Sequence, residues 1–182
     1  MNITTYDIEG LVSFESRVFS DERGYFFESY NKKHLASFLG GREFVQDNQS
    51  LSKKGVLRGL HFQTPPFAQG KLVRVIKGAV IDVAVDIRVG SPTYGEHQKI
   101  LLTEDNKMNF WIPIGFAHGF LSLEEGTIFS YKCTDFYNNE SEESLLWNDP
   151  EIDIDWGIID PIVSEKDQAA GRLKDFKSPF KF

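Results

Sequence analysis

Short runs in which apolar and polar residues alternate recur along the chain, at 11–18, 25–30, 44–50, 56–62, 72–76, 79–87, 98–102, 109–112, 119–123 and 127–135. A period of two marks a strand with one face turned inward, and the runs are separated by turn residues. The clearest case is Ala79 to Arg88, where Ala79, Ile81, Val83, Val85 and Ile87 share one face and Asp82, Ala84, Asp86 and Arg88 the other. Helical signals are few. Asn31 ahead of Lys32 to Leu39, with Gly40 and Gly41 behind, predicts a capped helix of about two turns. A second short helix is expected from Ser164 through Arg172.

Many short strands and few helices predict an all-β fold, and the even spacing fits a cupin-type jelly-roll barrel or sandwich with a few short peripheral helices. Composition agrees, since 16 Phe, 6 Tyr and 3 Trp beside 15 Gly and 7 Pro suit pleated surfaces joined by tight corners. At 182 residues, with no repeat, low-complexity tract or linker, the expectation is one domain over 1–182. A chain of this size buries roughly 70% of its unfolded surface and needs neither disulfide nor structural metal to hold a core. Cys133 is the only cysteine and no basic-then-apolar leader opens the sequence, so a reducing, cytoplasmic setting is expected. No uncharged apolar run approaches the ~20 residues of a membrane span. The net charge of -7, with no Lys/Arg stripe, argues against nucleic acid as a partner, because that affinity rests on neutralising phosphates. A local basic pocket for a small phosphorylated ligand is compatible with it.

Four stretches join polar residues to strand patterning. In Arg58-Gly59-Leu60-His61-Phe62-Gln63 an ideal strand sends Arg58 and His61 to opposite faces, and a bulge or turn at Gly59 would realign them. Lys71 opens the next strand on a partly apolar face, where an ammonium is costly unless paired or used. Pro113 to Phe120 forms a Gly/Pro corner that delivers His118 to the start of a strand. Metal cupins use a similar turn, but their other half needs a His-x-His pair, and here the residues are His61-Phe62-Gln63 with Lys71 downstream. That leaves a divalent metal short of its usual three or four ligands, so a metal site is disfavoured.

In extended register Tyr131, Cys133, Asp135 and Tyr137 share a face. Ser164-Glu165-Lys166-Asp167 reads on pattern alone as a solvated helix cap. The inventory for a pocket is therefore imidazole at His61 and His118, carboxylate at Asp167, Asp82 or Asp86, ammonium at Lys71, phenol at Tyr131 or Tyr137, and guanidinium at Arg23 and Arg58. No nucleophile elbow, Walker loop or dinucleotide fingerprint is present, which leaves acid/base chemistry without a metal or redox cofactor.

The stretches Ser20-Asp21-Glu22-Arg23-Gly24-Tyr25-Phe26-Phe27-Glu28, Gln46-Asp47-Asn48-Gln49-Ser50, Leu57 to Gln63, Gln69 to Val75, Val83 to Arg88, Pro113 to Phe120, Tyr131 to Thr134, Leu146 to Asp149 and Ser164 to Asp167 occur in order from about Asp7 to Asp167. Together they resemble the dTDP-4-dehydrorhamnose 3,5-epimerase family. The resemblance implies a jelly-roll homodimer that inverts C3 and C5 of dTDP-4-dehydro-6-deoxy-glucose with no metal or organic cofactor. The C4 ketone acidifies the hydrogens on C3 and C5, so a base on one face removes a proton and an acid on the other returns one. Carried over by position, the resemblance makes His61 the base, Asp167 its partner, Tyr131 the acid and Lys71 the stabiliser of charge on the C4 oxygen. It assigns substrate binding to Arg23, Glu28, Gln46, Asp47, Asn48, Arg58, Lys71, His118, Glu142 and Lys166, and base stacking to Tyr137. It also implies that N-terminal strands exchange across the dimer, which would send Arg23 to the neighbouring subunit's site.

Rival readings are a related mono-epimerase or keto-isomerase on another nucleotide-linked 4-keto-6-deoxy sugar, a sugar-nucleotide-binding cupin without catalysis, and a metal-dependent cupin enzyme. The non-catalytic one needs a missing base or acid, yet His61 and Tyr131 both stand in place. The metal-dependent one is weakened by Gln63, where a second histidine would be wanted.

Overall fold

The computed structural model describes residues 2–182. Strands β1 (Asn2–Thr5), β2 (Val12–Glu15), β10 (Met108–Ile112), β7 (Lys71–Lys77), β12 (Thr127–Cys133) and β5 (Gln46–Ser52) form one sheet in the order β1-β2-β10-β7-β12-β5. The second sheet runs β13-β6-β11-β8-β9, from β13 (Glu142–Ser144), β6 (Leu57–Gln63), β11 (Phe116–Ser122), β8 (Ala79–Asp86) and β9 (His97–Thr103). All pairings within these two sheets are antiparallel, as expected of a jelly roll. Strands β3 (Val18–Asp21) and β4 (Gly24–Phe27) pair only with each other and make a separate hairpin.

The sequence alternation decides what fills the space between the sheets. Val73, Val75, Phe110 and Phe129 from the first sheet meet Val80, Ala84, Leu102, Phe116 and Phe120 from the second. On β8 and just past its end the same alternation sends Val83, Val85 and Ile87 outward, yet these are also buried. The chain beyond β13 covers them with Leu145, Ile152, Trp156, Leu173 and Phe180. Burying each such side chain stabilises the fold by about 1.5–3 kcal/mol. Helix α1 (Lys32–Leu39) lays Leu35 and Leu39 on Val12, Phe14, Leu72 and Trp111 of the six-stranded sheet. The Asn31 side chain caps it by accepting from the Lys33 amide at 2.9 Å, and Gly40 ends it at a φ of 56°.

Four expectations change. The run 11–18 is two strands, because β2 stays in the sheet while β3 leaves it for the hairpin, and no glycine or proline announces the break. The register 131–137 ends at Cys133, so Asp135 and Tyr137 lie on a loop. The expected helix from Ser164 shrinks to α2 (Glu165–Gln168), which Ser164 does cap, accepting from the Asp167 amide at 3.2 Å. Asp167 itself is buried rather than solvated. Strands β1 and β13 were too short and polar to stand out in the pattern.

Candidate active site

The bulge proposed at Gly59 is present. In the β6–β11 ladder His61 pairs with His118 and Arg58 with Phe120, so β6 spends one extra residue between those two pairs. Gly59 sits there at a φ of 138°, and a Cβ on it would fall 2.5 Å from the Gly119 Cα, so only glycine fits. The extra residue breaks the strand's alternation, buries Gly59 and Leu60, and leaves Arg58 exposed with His61 half-buried.

His61 borders a cleft of about 280 Å³ together with Gln46, Asn48, Gln63, Gln69, Lys71, Tyr131, Tyr137 and Glu142. His61 belongs to one sheet and Tyr131 to the other, so the imidazole and the phenol stand on different walls. The His61 Nε2 lies 2.6 Å from Asp167 Oδ1. Placing the ring proton on Nε2 lets it donate to the carboxylate and leaves the Nδ1 lone pair as the base. Asp167 comes from α2, which rests on β6, and its Oδ2 accepts from the Gly59 amide at 3.3 Å. Burial pushes the Asp167 carboxyl upward, but the hydrogen bond and charge of His61, helped by the Gly59 amide and Ser164, outweigh it and hold the group below the usual aspartate range. The pair is therefore a carboxylate fixed against an imidazole, an arrangement that steadies the ring and stabilises an imidazolium.

Burial pushes the Tyr131 phenol above its ordinary value, Cys133 and Glu142 add to this, and Arg58 works against it, which keeps the hydroxyl protonated. Lys71 donates from Nζ to the His61 carbonyl oxygen at 3.2 Å. Burial pulls its ammonium below the ordinary lysine value, against the opposing charges of Cys133, Asp82 and Glu142. His118 is buried behind them, with Nε2 2.9 Å from Asp82 Oδ2. Burial, together with Lys71 and His61, lowers its value despite Asp82, so the ring is neutral at neutral pH. At the rim Glu142 Oε2 accepts from the Tyr137 hydroxyl at 2.9 Å and pairs with Lys166 Nζ at 2.5 Å. Arg58 donates from Nε to Ser52 Oγ at 3.2 Å.

The chain thus gathers His61, Lys71, Tyr131, Gln46, Asn48, Tyr137 and Glu142 around one cleft, with Asp167 on His61, Lys166 on Glu142 and His118 enclosed against Asp82. Arg58 does not line it and lies beside Ser52, at the end of β5 opposite Gln46. Three further expected residues lie elsewhere within the protomer. Asp47 faces away from the cleft, because β5 alternates, and pairs with Lys132 at 2.9 Å. Arg23 is on the exposed hairpin, paired with Asp21 at 2.5 Å. Glu28 follows β4, accepts from the Asn31 amide side chain at 3.0 Å and faces His34 at 3.4 Å. Of the three open carboxylate candidates, Asp167 touches His61, Asp82 touches His118 along a diagonal of the β8–β11 ladder, and Asp86 pairs with Arg88 outside the cleft lining. Gln63 and Gln69 were not anticipated as site residues. Their signal was position, since Gln63 ends β6 and Gln69 stands two residues ahead of β7, close to the start of β5 at Gln46 in the cleft lining.

No three His, Cys, Asp or Glu side chains among the described residues converge as metal ligands. A larger, open groove of about 760 Å³ beside Tyr94, His97 and Leu173 holds none of the expected residues, and its one imidazole is tied to the Ile152 carbonyl at 3.1 Å.

A family model described as dTDP-4-dehydrorhamnose 3,5-epimerase matches residues 5–175. The chain is 50% identical over 168 residues to the dTDP-4-dehydrorhamnose 3,5-epimerase of Shigella flexneri, covering 92% of this chain and 93% of the relative. It is 51% identical over 177 residues to that of Pseudomonas aeruginosa, covering 96% and 97%. Among solved structures, the dTDP-6-deoxy-D-glucose-3,5-epimerase of Legionella pneumophila in complex with dTDP-4-keto-L-rhamnose superposes with a TM-score of 0.91 at 50% identity, covering 95% of this chain and 93% of that one.

Proposed function

The chain belongs to the dTDP-4-dehydrorhamnose 3,5-epimerase family, and from that premise we propose that it converts dTDP-4-dehydro-6-deoxy-D-glucose into dTDP-4-dehydro-L-rhamnose with the side chains of this cleft. The observation that carries the reading is an imidazole–carboxylate pair on one wall and a protonated phenol on the other. His61 Nδ1 takes the proton from the carbon next to the ketone, and the electron pair moves onto the C4 oxygen. The Lys71 ammonium stabilises that enolate, because a charge fixed in advance beside the C4 oxygen needs no reorganisation when the negative charge develops. Tyr131 then gives its hydroxyl proton to the opposite face of the carbon, which inverts it. The imidazolium releases its proton and the phenolate regains one, and the cycle repeats at the second carbon. Asn48, Gln46, Arg58, Glu142 and Lys166 hold the nucleotide sugar and Tyr137 stacks on the base, while His118, expected among them, is enclosed and bound to Asp82 and supports the wall of the cleft from within.

No metal or organic cofactor is needed for this proton chemistry, because the ketone itself acidifies the reacting hydrogens. Metal analysis tests that: a stoichiometric metal on which activity depends would overturn it. The enzyme acts as a homodimer, in which the hairpin of β3 and β4 carries Arg23, and Glu28 beside it, to the partner's cleft. Phe19, Tyr25 and Phe26 on that hairpin are exposed and give it an apolar surface to cover. Sedimentation equilibrium of the purified protein tests this, with a monomer at micromolar concentration as the overturning result. Residues 1–182 work as one domain, since the segment that covers the outer sheet also supplies Asp167. No helix among the described residues is long and apolar enough to cross a membrane, and the lone, buried Cys133 suits the cytoplasm.

The deciding experiment is incubation with the substrate in D2O, reading deuterium at C3 and C5 by NMR. Label at both carbons is expected. Label at one carbon alone would identify a mono-epimerase, and none would discard the substrate. The Tyr131→Phe enzyme is expected to exchange hydrogens while inverting poorly.

A further inference from the structure

Strand β12 ends at Cys133, and the loop that follows forms the outer wall of the cleft and carries Tyr137. Apolar packing does not hold it, because Phe136 and Tyr137 are both more than half exposed. Its first residue is tied at both ends of Gly70, with the Thr134 amide donating to the Gly70 carbonyl at 3.0 Å and the Gly70 amide donating to Thr134 Oγ1 at 2.8 Å. Beyond that point the main chain is taken over by glutamine side chains. Gln69 Nε2 donates to the Asp135 carbonyl at 2.7 Å and Gln63 Nε2 to the Phe136 carbonyl at 3.1 Å. The Tyr137 amide donates to Gln46 Oε1 at 2.8 Å, and the Asn138 amide to Gln63 Oε1 at 2.8 Å. Gln63 is buried and also donates to the Phe67 carbonyl at 2.6 Å, so it joins this loop to the one between β6 and β7.

A primary amide suits this task, since it offers donor and acceptor together and carries no charge to desolvate. Consecutive main-chain groups are satisfied from the start of β5, the end of β6 and the loop leading into β7, so the loop cannot shift without breaking several of these bonds together. We propose that Gln63 and Gln69, with Gln46, form a clamp that positions the Tyr137 ring and thereby sets affinity for the nucleotide end of the substrate, while leaving proton transfer at His61 and Tyr131 untouched. Gln63 and Gln69 are positioning residues that act through Tyr137. The inference rests on the reading of Tyr137 as the ring that stacks on the base.

A double-mutant cycle between Gln69→Met, which keeps the side chain's shape but removes its donor, and Tyr137→Ala tests it, with kcat and KM measured on the full enzyme and dTDP affinity by calorimetry. Gln69→Met is expected to raise KM and weaken dTDP binding about fivefold, the scale of one net hydrogen bond, with kcat within about twofold. Tyr137→Ala is expected to raise KM about tenfold, and the double variant to be no worse than Tyr137→Ala alone. A Gln69→Met effect that persists in full in the Tyr137→Ala background, or one that falls on kcat, would overturn the clamp. Wild-type KM and dTDP binding in Tyr137→Ala would instead overturn the stacking reading beneath it. Gln63→Met is the second variant and is expected to behave likewise; if its bonds prove necessary for folding, Gln69→Met carries the test.

Discussion

His61 and His118 face each other across neighbouring strands, and each touches an aspartate, yet the two pairs are built for different work. The His118 partner, Asp82, comes from the adjacent strand β8 and lies with it in the interior, wholly enclosed. The His61 partner comes from α2, more than a hundred residues along the chain, and the imidazole it holds is about one-third exposed to the cleft. Burial lowers the His118 value, so that ring stays neutral and acts as a fixed hydrogen-bonding group. Asp167 is held as a carboxylate against a ring that substrate can reach. The same two side-chain types thus give an enclosed strut in one place and, in the other, the accessible ring proposed as the base, and the difference lies in which pair opens onto the cleft.

The largest break of that contrast is His61→Ala. It is expected to lower kcat by about 10³ to 10⁴ and to abolish deuterium exchange at both carbons; exchange at the wild-type rate would refute the assignment of the base. Asp167→Asn comes next, with kcat expected to fall roughly 100-fold because the ring loses its carboxylate while its surroundings keep their shape. For the buried pair the readout moves from rate to stability. His118→Ala leaves the Asp82 carboxyl group without its partner and is expected to cost about 1–3 kcal/mol in denaturant unfolding. In Asp82→Asn the contact can be kept, so kcat is expected to stay within about tenfold.

The smallest effect is a pH dependence. The folded value of His118 lies below its unfolded value near ~6.5, so its contribution to stability is complete above that pH and is lost as pH falls toward the folded value. Melting curves between about pH 7 and 5 should therefore drop more steeply for the wild type than for His118→Gln. Equal slopes would mean that the buried ring accepts its proton as easily as one in water.

Alternation alone located the main strands, since β6 to β12 each carry an inward face that the core requires. It also allowed the bulge at Gly59, because the motif put Arg58 and His61 on faces that a working site would need to reconcile. The hairpin was not legible, because β2 and β3 share one unbroken alternating run and only pairing tells them apart. Asp167 looked solvated for a similar reason: a four-residue helix has too little periodicity to show which side chain turns inward. Asp47 shows the opposite error, since a residue between two cleft-facing neighbours on a strand must point away from the cleft. The glutamines escaped notice because their partners are main-chain groups, which no side-chain motif records.

The covering segment beyond β13 has a consequence for how the enzyme is made. By the time residue 133 has left the ribosome, both sheets lack only β13, and the strands already contain His61, Lys71, His118 and Tyr131. The carboxylate that binds His61 arrives more than thirty residues later, in the segment that also seals Val83, Val85 and Ile87 from water. Covering of the outer core and delivery of the Asp167 carboxylate to His61 therefore depend on the same late-emerging segment.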